Sequence, residues 1–529
     1  MGKQIETIIN RFDGGITNDP RDPAGNTSAM VSNFDILSNP RRMTPYRSSE
    51  SGDDAAATSQ KKNFCVALRS GTDYSLYALG IKSGADTAEI LYKNLTILAA
   101  GDLDDDDWGN TGNHQSASGT TSFNLFIYYK RVGLIFGAKT NAIWAYDPAG
   151  SVAFDEQATT NAITFTTVAQ GLVHSKDDIL YIPVDNIIIK NNNGVWADSS
   201  PALTLPTHYF ITSICEYGNQ LAIAVAPTSG VGNSRIFLWD RDATLTTLSE
   251  SIDGGDGIIM VLEEVDGYLI AISQKGGTPS SFVGIPNNIV SFKDRLIFRY
   301  YAGNRMEKLM ELISGSRNTL KLSLAKQKVD NRLYFMALIH FNGAVRTGVW
   351  SFGRSSPSAP FGLVHERTLG NNTTTNIADS LYNFIVVGDY LFASYQLNGG
   401  SVALDKTEDT ADTYSHNSIC ETKRFNAGDS SLKKDLTGIT VMHEYLPAAG
   451  SVTVKYRKDE ETSFTTILTN TTDSSISKSA VNIESSGAAL PKDYKEIEFQ
   501  ILSTGGAEIT GLSFKEEITG KRAYEAIKE

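Results

Sequence analysis

Seven times between residues 72 and 395 the chain runs from a polar turn into an apolar strand with a leucine near its start. The segments are TDYSLYALG (72–80), RVGLIFGA (131–138), KDDILYIPV (176–184), YGNQLAIAV (217–225), VDGYLIAIS (265–273), VDNRLYFMAL (329–338) and VGDYLFASY (387–395). Their leucines, Leu76, Leu134, Leu180, Leu221, Leu269, Leu333 and Leu391, stand 58, 46, 41, 48, 64 and 58 residues apart. Self-similarity at this period is the mark of a repeat architecture. The longest gap holds an eighth candidate, FKDRLIFRY (292–300), centred on Leu296.

Several of these strands are followed by another that ends in an aromatic residue and often an acid. NAIWAYD (141–147), SRIFLWD (234–240) and TGVWSFG (347–353) are the clearest cases, and AEILYKN (88–94) and SVALD (401–405) fit more loosely. A turn, an apolar strand, a loop and an aromatic-rich strand make one propeller blade of about 40–50 residues. A single blade cannot bury its two apolar faces, so blades must stack on one another. The Asp or Gly at each turn suits a tight bend with positive φ. The fold class expected is therefore all-β: a β-propeller over residues 55–406 with about seven blades, six or eight also being compatible. Two β-sandwiches with accidental spacing are the alternative. Met306, Leu309, Met310 and Ile313 recur at helical spacing, which predicts a short helix over 304–313.

Residues 1–54 do not resemble a domain. Pro20, Pro23, Pro40 and Pro45 deny the segment a helix, its apolar residues are scattered, and it should lie extended as a strap across something else. After Asp405 the repeat stops, and residues 407–529 form a third region. Here Val452, Val454 and Tyr456 alternate in SVTVKYR, as do Ile497, Phe499 and Ile501 in EIEFQIL. With LTGITVMHEYL (436–446) and AEITGLSFKEE (507–517), they predict an antiparallel β-sandwich of seven or eight strands. KRAYEAIKE (521–529) is compatible with a short terminal helix.

Composition removes several function classes. With 47 Lys and Arg against 60 Asp and Glu, the 529-residue chain carries a net charge of −13, the wrong sign for non-specific nucleic-acid binding. Cys65, Cys215 and Cys420 are too few and too far apart for a disulfide framework or a zinc site. No run of 18 apolar residues exists to span a membrane, and MGKQIETIINRFDGG lacks the apolar region of a signal peptide. A soluble protein made in a reducing cytosol is expected.

Motifs with chemistry are few. Asp102, Asp104 and Asp106 mimic the opening of a calcium loop, but Asp107 replaces the required Gly and Asn113 the required Glu, so a solvated acidic loop is expected. His365-Glu366 and His443-Glu444 lack the second His of a zincin. Neither GxSxG nor GxxxxGK[ST] occurs, and no blade carries a sialidase-type Ser-x-Asp-x-Gly-x-Thr-Trp turn. Trp108, Trp144, Trp196, Trp239 and Trp350 could ring a sugar site, but Trp144, Trp239 and Trp350 sit in strands and are expected in blade cores. No catalytic, cofactor-binding or metal-binding residue is assigned, and no cofactor is expected.

RFDGGITNDPRDP (11–23) and SNFDILSNPRRMTPYRS (32–48) resemble the opening of structural proteins from tailed bacteriophages, with a Gly-Gly turn, an Asn-Phe-Asp segment and a Pro-Arg-rich stretch. Residues 421–467 and 503–517 resemble the closing β module of the same virion proteins, and the propeller between is similar in architecture to nozzle proteins at the end of short tails. The resemblance implies a non-enzymatic tail component, nozzle or connector, assembled in the bacterial cytoplasm as a homo-oligomer around the channel for phage DNA. Its partners would be other tail proteins, and it would not insert into a membrane. A host-glycan receptor-binding protein and a glycan-cleaving propeller enzyme are the two alternatives from other classes.

Overall fold

The computed structural model describes residues 4–519 apart from 13, 17–27, 40, 47–48, 52–58, 71, 83–87, 95–108, 115–120, 140–141, 150–164, 197–200, 229–232, 242–249, 277–293, 316–319, 342–343, 370–377, 389, 398–401, 408–416, 428, 472–476 and 481–489. Every regular element among the described residues is a strand. The chain divides into two units, one of residues 49–349 and 369–409, the other of residues 1–48, 350–368 and 410–529.

The first unit is the propeller. Its described residues form seven blades, six of them separate sheets and the sixth in chain order the opening strands of a nine-stranded sheet, and each begins with a hairpin whose second strand carries one of the seven repeat leucines. Blade 1 is Ser59–Ser70, Asp73–Lys82, Ala88–Asn94 and Gly109–His114; blade 2 is Thr121–Tyr129, Leu134–Lys139 and Ala142–Tyr146. Blade 3 is built on Leu172–Val173, Leu180–Val184, Ile187–Asn192 and Val195–Trp196, and blade 4 on Tyr209–Tyr217, Gln220–Pro227, Arg235–Trp239 and Glu250–Asp253. Blade 5 is Ile258–Val265, Tyr268–Lys275, Arg295–Tyr301 and Met306–Ile313; blade 6 opens with Lys321–Val329, Arg332–Phe341 and Ala344–Gly353. Blade 7 is Ala378–Val387, Tyr390–Leu397 and Val402–Thr407, and its outer strand comes from the far end of the chain, Ser49–Ser51 pairing with Asp405–Thr407.

The hairpin turns explain the Asp and Gly of the repeat. Asp266-Gly267 and Asp330-Asn331 both have positive φ at their two central residues, the geometry that matches the twist of the flanking strands. Gly133, Gly218 and Gly388 occupy the same left-handed region in their blades. Six of the seven leucines are buried, and Leu134 is partly buried against the core between blades 2 and 3. Each contributes roughly 1.5–3 kcal/mol by leaving water.

Seven interfaces close the ring. Phe126, Ile135 and Trp144 of blade 2 meet Tyr77 of blade 1, while Leu125 and Phe136 meet Leu180 and Ile182 of blade 3. Tyr181 packs on Trp239 and Leu221 of blade 4, and Cys215 and Leu238 on Ile259 and Leu262 of blade 5. Phe298 and Phe335 join blades 5 and 6 with ring centroids 5.9 Å apart. Met336 and Leu338 meet Leu381 and Tyr395 of blade 7, whose Phe392 and Leu404 return to Phe64 and Leu76 of blade 1.

The other unit is a β-sandwich. One sheet runs in the order Gln4–Ile9, Ile509–Ile518, Lys434–His443 and Ser477–Ala480. The second places Ser28–Ser32 between Gly362–Thr368 and Ser418–Thr422, followed by Ile497–Thr504, Ser451–Lys458 and Thr465–Asn470. Ser28–Ser32 pairs antiparallel with Ser418–Thr422 and parallel with Gly362–Thr368 at Ser32 and His365, and Ile16 bridges Ser28 in parallel. Phe499 of one sheet meets Phe514 of the other at 4.8 Å. Val452, Val454, Ile497, Phe499 and Ile501 are buried, as their alternation requires.

Three expectations are corrected or refined. Residues 306–313 are the outer strand of blade 5, not a helix. A β-bulge between Phe298 and Arg299 leaves Leu309 without a partner residue, so same-face neighbours such as Lys308 and Glu311 stand three apart and mimic a helical period. Leu296 lies in the third strand of blade 5 and marks no further blade. What the amino-terminal strap lies across is the sandwich: its described residues from Gln4 to Tyr46 are built into that unit, with Met30, Val31, Phe34, Ile36 and Met43 wholly buried there. The acidic loop at 102–107 and the terminal segment 521–529 lie outside the described residues.

Candidate functional site

The side chains singled out in the sequence do not converge. His365 and Glu366 are buried in the sandwich, where His365 Nδ1 lies 2.7 Å from Ser32 Oγ and its ring rests on Trp350 with centroids 4.6 Å apart. His443 is buried as well, its Nε2 2.9 Å from Asn470 Nδ2 and its Nδ1 2.6 Å from the Glu444 carbonyl oxygen. Trp144 and Trp239 are fully buried on third strands in the cores between blades, as expected, whereas Trp350, equally buried, belongs to the sandwich unit and packs on His365 there. Trp196 ends the short strand Val195–Trp196, Asn113 lies in the outer strand of blade 1, and Trp108 is outside the described residues. The three cysteines are free and buried, and burial pushes their thiols up, that of Cys420 to about 12. Among the described residues no group of three His, Cys, Asp or Glu side chains could hold a metal ion.

Two polar clusters that sequence reading missed lie instead at the hairpin ends of adjacent blades. The first joins blades 3 and 4. The turn 174–178 places Ser175 over the end of Tyr209–Tyr217, where Ser175 Oγ donates to Glu216 Oε2 at 2.6 Å and its N–H donates to Glu216 Oε1. Arg241, just past the third strand of blade 4, forms an ion pair with Asp177 and donates to the Asn219 carbonyl at 2.9 Å. The same guanidinium lies 3.0 Å from His174 Nδ1, and the Lys176 N–H approaches that nitrogen at 3.3 Å. Nδ1 also stands 3.3 Å from Asp177 Oδ1, so the ring nitrogen is enclosed by the guanidinium, the carboxylate and the Lys176 N–H. Burial holds His174 below its ordinary value, Arg241 and Lys176 add to the shift, and Glu216 opposes it. Ser175 therefore donates to a carboxylate and not to an imidazole, and His174 Nδ1 is already engaged. The cluster fastens one blade to the next.

The second cluster lies among the first strands of blades 4 to 7. First strands of successive blades lie side by side around it. Lys326, on the first strand of blade 6, pairs with Glu263 of blade 5 at 2.9 Å and donates to the Leu262 carbonyl. It also donates at 2.6 Å to the Ile214 carbonyl of blade 4. Beside it Gln327 Nε2 donates to the Val386 carbonyl of blade 7 at 2.9 Å and its Oε1 accepts from Val386 N–H at 2.7 Å. Lys328 and Glu264 form a second, more exposed pair at 2.5 Å. A lone Lys or Glu at the end of an apolar strand carries no sequence signal of this convergence, because the partners lie 59 to 112 residues away.

No protein-family model matches the chain, and no curated protein does. Solved structures that align with it are propellers at low similarity. The N-terminal domain of Nup159 gives a TM-score of 0.39 at 10% identity, covering 69% of this chain and 98% of that one. The Dos1 propeller gives 0.38 at 10% identity over 69% and 95%. The propeller domain of the Trilobed protease from Pyrococcus furiosus gives 0.36 at 8% identity over 66% and 96%. Scores this low carry no weight for function; the seven blades and their interfaces carry the fold.

Proposed function

We propose that the chain is a non-enzymatic structural component of a bacteriophage tail, a nozzle or connector, with several copies arranged around the path of the DNA. The observation that carries this reading is the fate of the two stretches that resemble virion proteins. They are separated by more than 350 residues in sequence, yet they form one unit.

The residues that carry the resemblance are the ones that do the joining. Gly15 has φ +65° and lies so close to Leu363 that a Cβ would stand 2.5 Å from its nitrogen, so the Gly-Gly turn tolerates no side chain there. Asn33 accepts from Thr368 N–H at 3.0 Å and donates to the Asn417 carbonyl at 3.1 Å. Asp35 accepts from the N–H groups of Leu37 and Ser38, both at 3.0 Å, closing the turn after the buried Phe34. Arg42 reaches Glu444 and Glu508 at 3.0 and 2.8 Å. A strap fitted this closely to its own closing module suits a part that is built once and stays assembled. The net charge of −13 suits a surface that DNA must pass without sticking, since like charges repel.

The host-recognition alternative loses much of its aromatic platform, because Trp144, Trp239 and Trp350 are buried and present no face to a sugar. An adsorption assay separates the readings. The isolated chain is expected neither to bind host cells nor to block infection, and to release no reducing ends from host polysaccharide. Adsorption with blocking would establish a receptor-binding role in its place, and release of reducing ends an enzyme.

A further inference from the structure

Lys326 projects into the bore of the propeller. A side chain of blade 6 meets a main-chain oxygen of blade 4, past the whole of blade 5, only by crossing near the axis. The Lys326 side chain is 8% exposed, and its ammonium has three oxygen partners: the Ile214 and Leu262 carbonyls and the Glu263 carboxylate, itself 18% exposed. From blade 3, Gln170 Nε2 comes within 3.5 Å of the Lys326 carbonyl oxygen, so the main chain is held at the same level. Two carbonyl oxygens and a carboxylate converging on one point are the ligands that a hard cation takes. Here the cation is part of the chain.

We infer that the ring axis holds an oxygen-lined cation site, filled by the tethered ammonium of Lys326, which clamps blades 4, 5 and 6 and closes the bore at that level. Two consequences follow from the chemistry. Any DNA path passes between copies of the chain and not through the propeller. Removal of the ammonium leaves Glu263 and the two carbonyls facing one another without a positive charge, a site that takes a small monovalent cation of ammonium or potassium size.

The test uses the full chain. Lys326→Ala is expected to lower the propeller melting temperature by about 10 °C, as loss of one partner of a buried pair does. Ammonium, methylammonium or potassium chloride should restore part of that loss in a saturable way, while tetramethylammonium chloride at equal ionic strength should not. Equal effects of all the salts, or the same gain in the unaltered protein, would overturn the cation site. The unaltered protein supplies a readout that needs no variant. In native amine acylation followed by peptide mass spectrometry, Lys326 should be at least tenfold slower to react than Lys328. Acylation of both at similar rates would overturn the closed bore.

Discussion

Gly137 lies beneath the Trp144 indole on the neighbouring strand of blade 2, where an added Cβ would sit 2.0 Å from ring carbon Cζ2. The clash is with a ring buried in the interface between blades 1 and 2, so it cannot be relieved by swinging the indole into water. Gly137→Ala is expected to destabilise the propeller by about 3 kcal/mol, measured by denaturant unfolding. His174 makes a pH-dependent contribution. Its value lies below the ordinary 6.5, so as pH falls below that point the unfolded chain takes up a proton before the folded one, and stability declines towards acid. Asn at this position keeps an acceptor where Nδ1 stands and does not titrate. His174→Asn should therefore flatten the fall in melting temperature between pH 6.5 and 5; an unchanged slope would remove His174 as its cause. At this scale the sequence was informative about burial and silent about partners. The tryptophans of the third strands read as core because their neighbours alternate, whereas Lys326, Glu216 and Arg241 acquire meaning only from residues on other blades.

Hairpins were the elements most open to sequence reading, because the geometry of a two-residue turn demands particular residues. Asp266-Gly267 and Asp330-Asn331 have the positive φ that their composition requires, and Leu269 and Leu333 follow these turns into the core. The strand at 306–313 misled because a bulge imitates helical spacing, and a ladder to a neighbouring strand leaves no trace in local periodicity. The outer strand of blade 7 was hidden for a different reason: Ser49–Ser51 is three polar residues long and draws its order from Asp405–Thr407, at the opposite end of the propeller. The strap was legible as a segment unable to make a core of its own, but not as a strand inserted between Gly362–Thr368 and Ser418–Thr422. Removing residues 1–48 takes Met30, Val31, Phe34 and Met43 out of the sandwich and spares the strand that completes blade 7. The truncated chain should lose the sandwich transition on heating and keep a propeller transition. Limited proteolysis should then cut within residues 354–368 and 417–519 and spare 59–349 and 378–407; the reverse pattern would contradict the assignment of the strap.

For the molecule as a whole, blade stacking was legible because a repeat can bury its faces only against its neighbours, and seven hairpins implied seven blades. The way the last blade is completed was not, since its outer strand is the short Ser49–Ser51 from ahead of the first blade. No helix of the described residues is long and apolar enough to cross a membrane. The acidic charge, the buried free thiols and the strap stitched into the closing module together suit a part of a larger particle, and that membership is the central claim. It is tested most directly by gold labelling tailed particles from the source lysate with an antibody to this chain, viewed by negative stain. The account predicts label confined to the tail, at its far end for a nozzle. Particles that carry no label anywhere would contradict it.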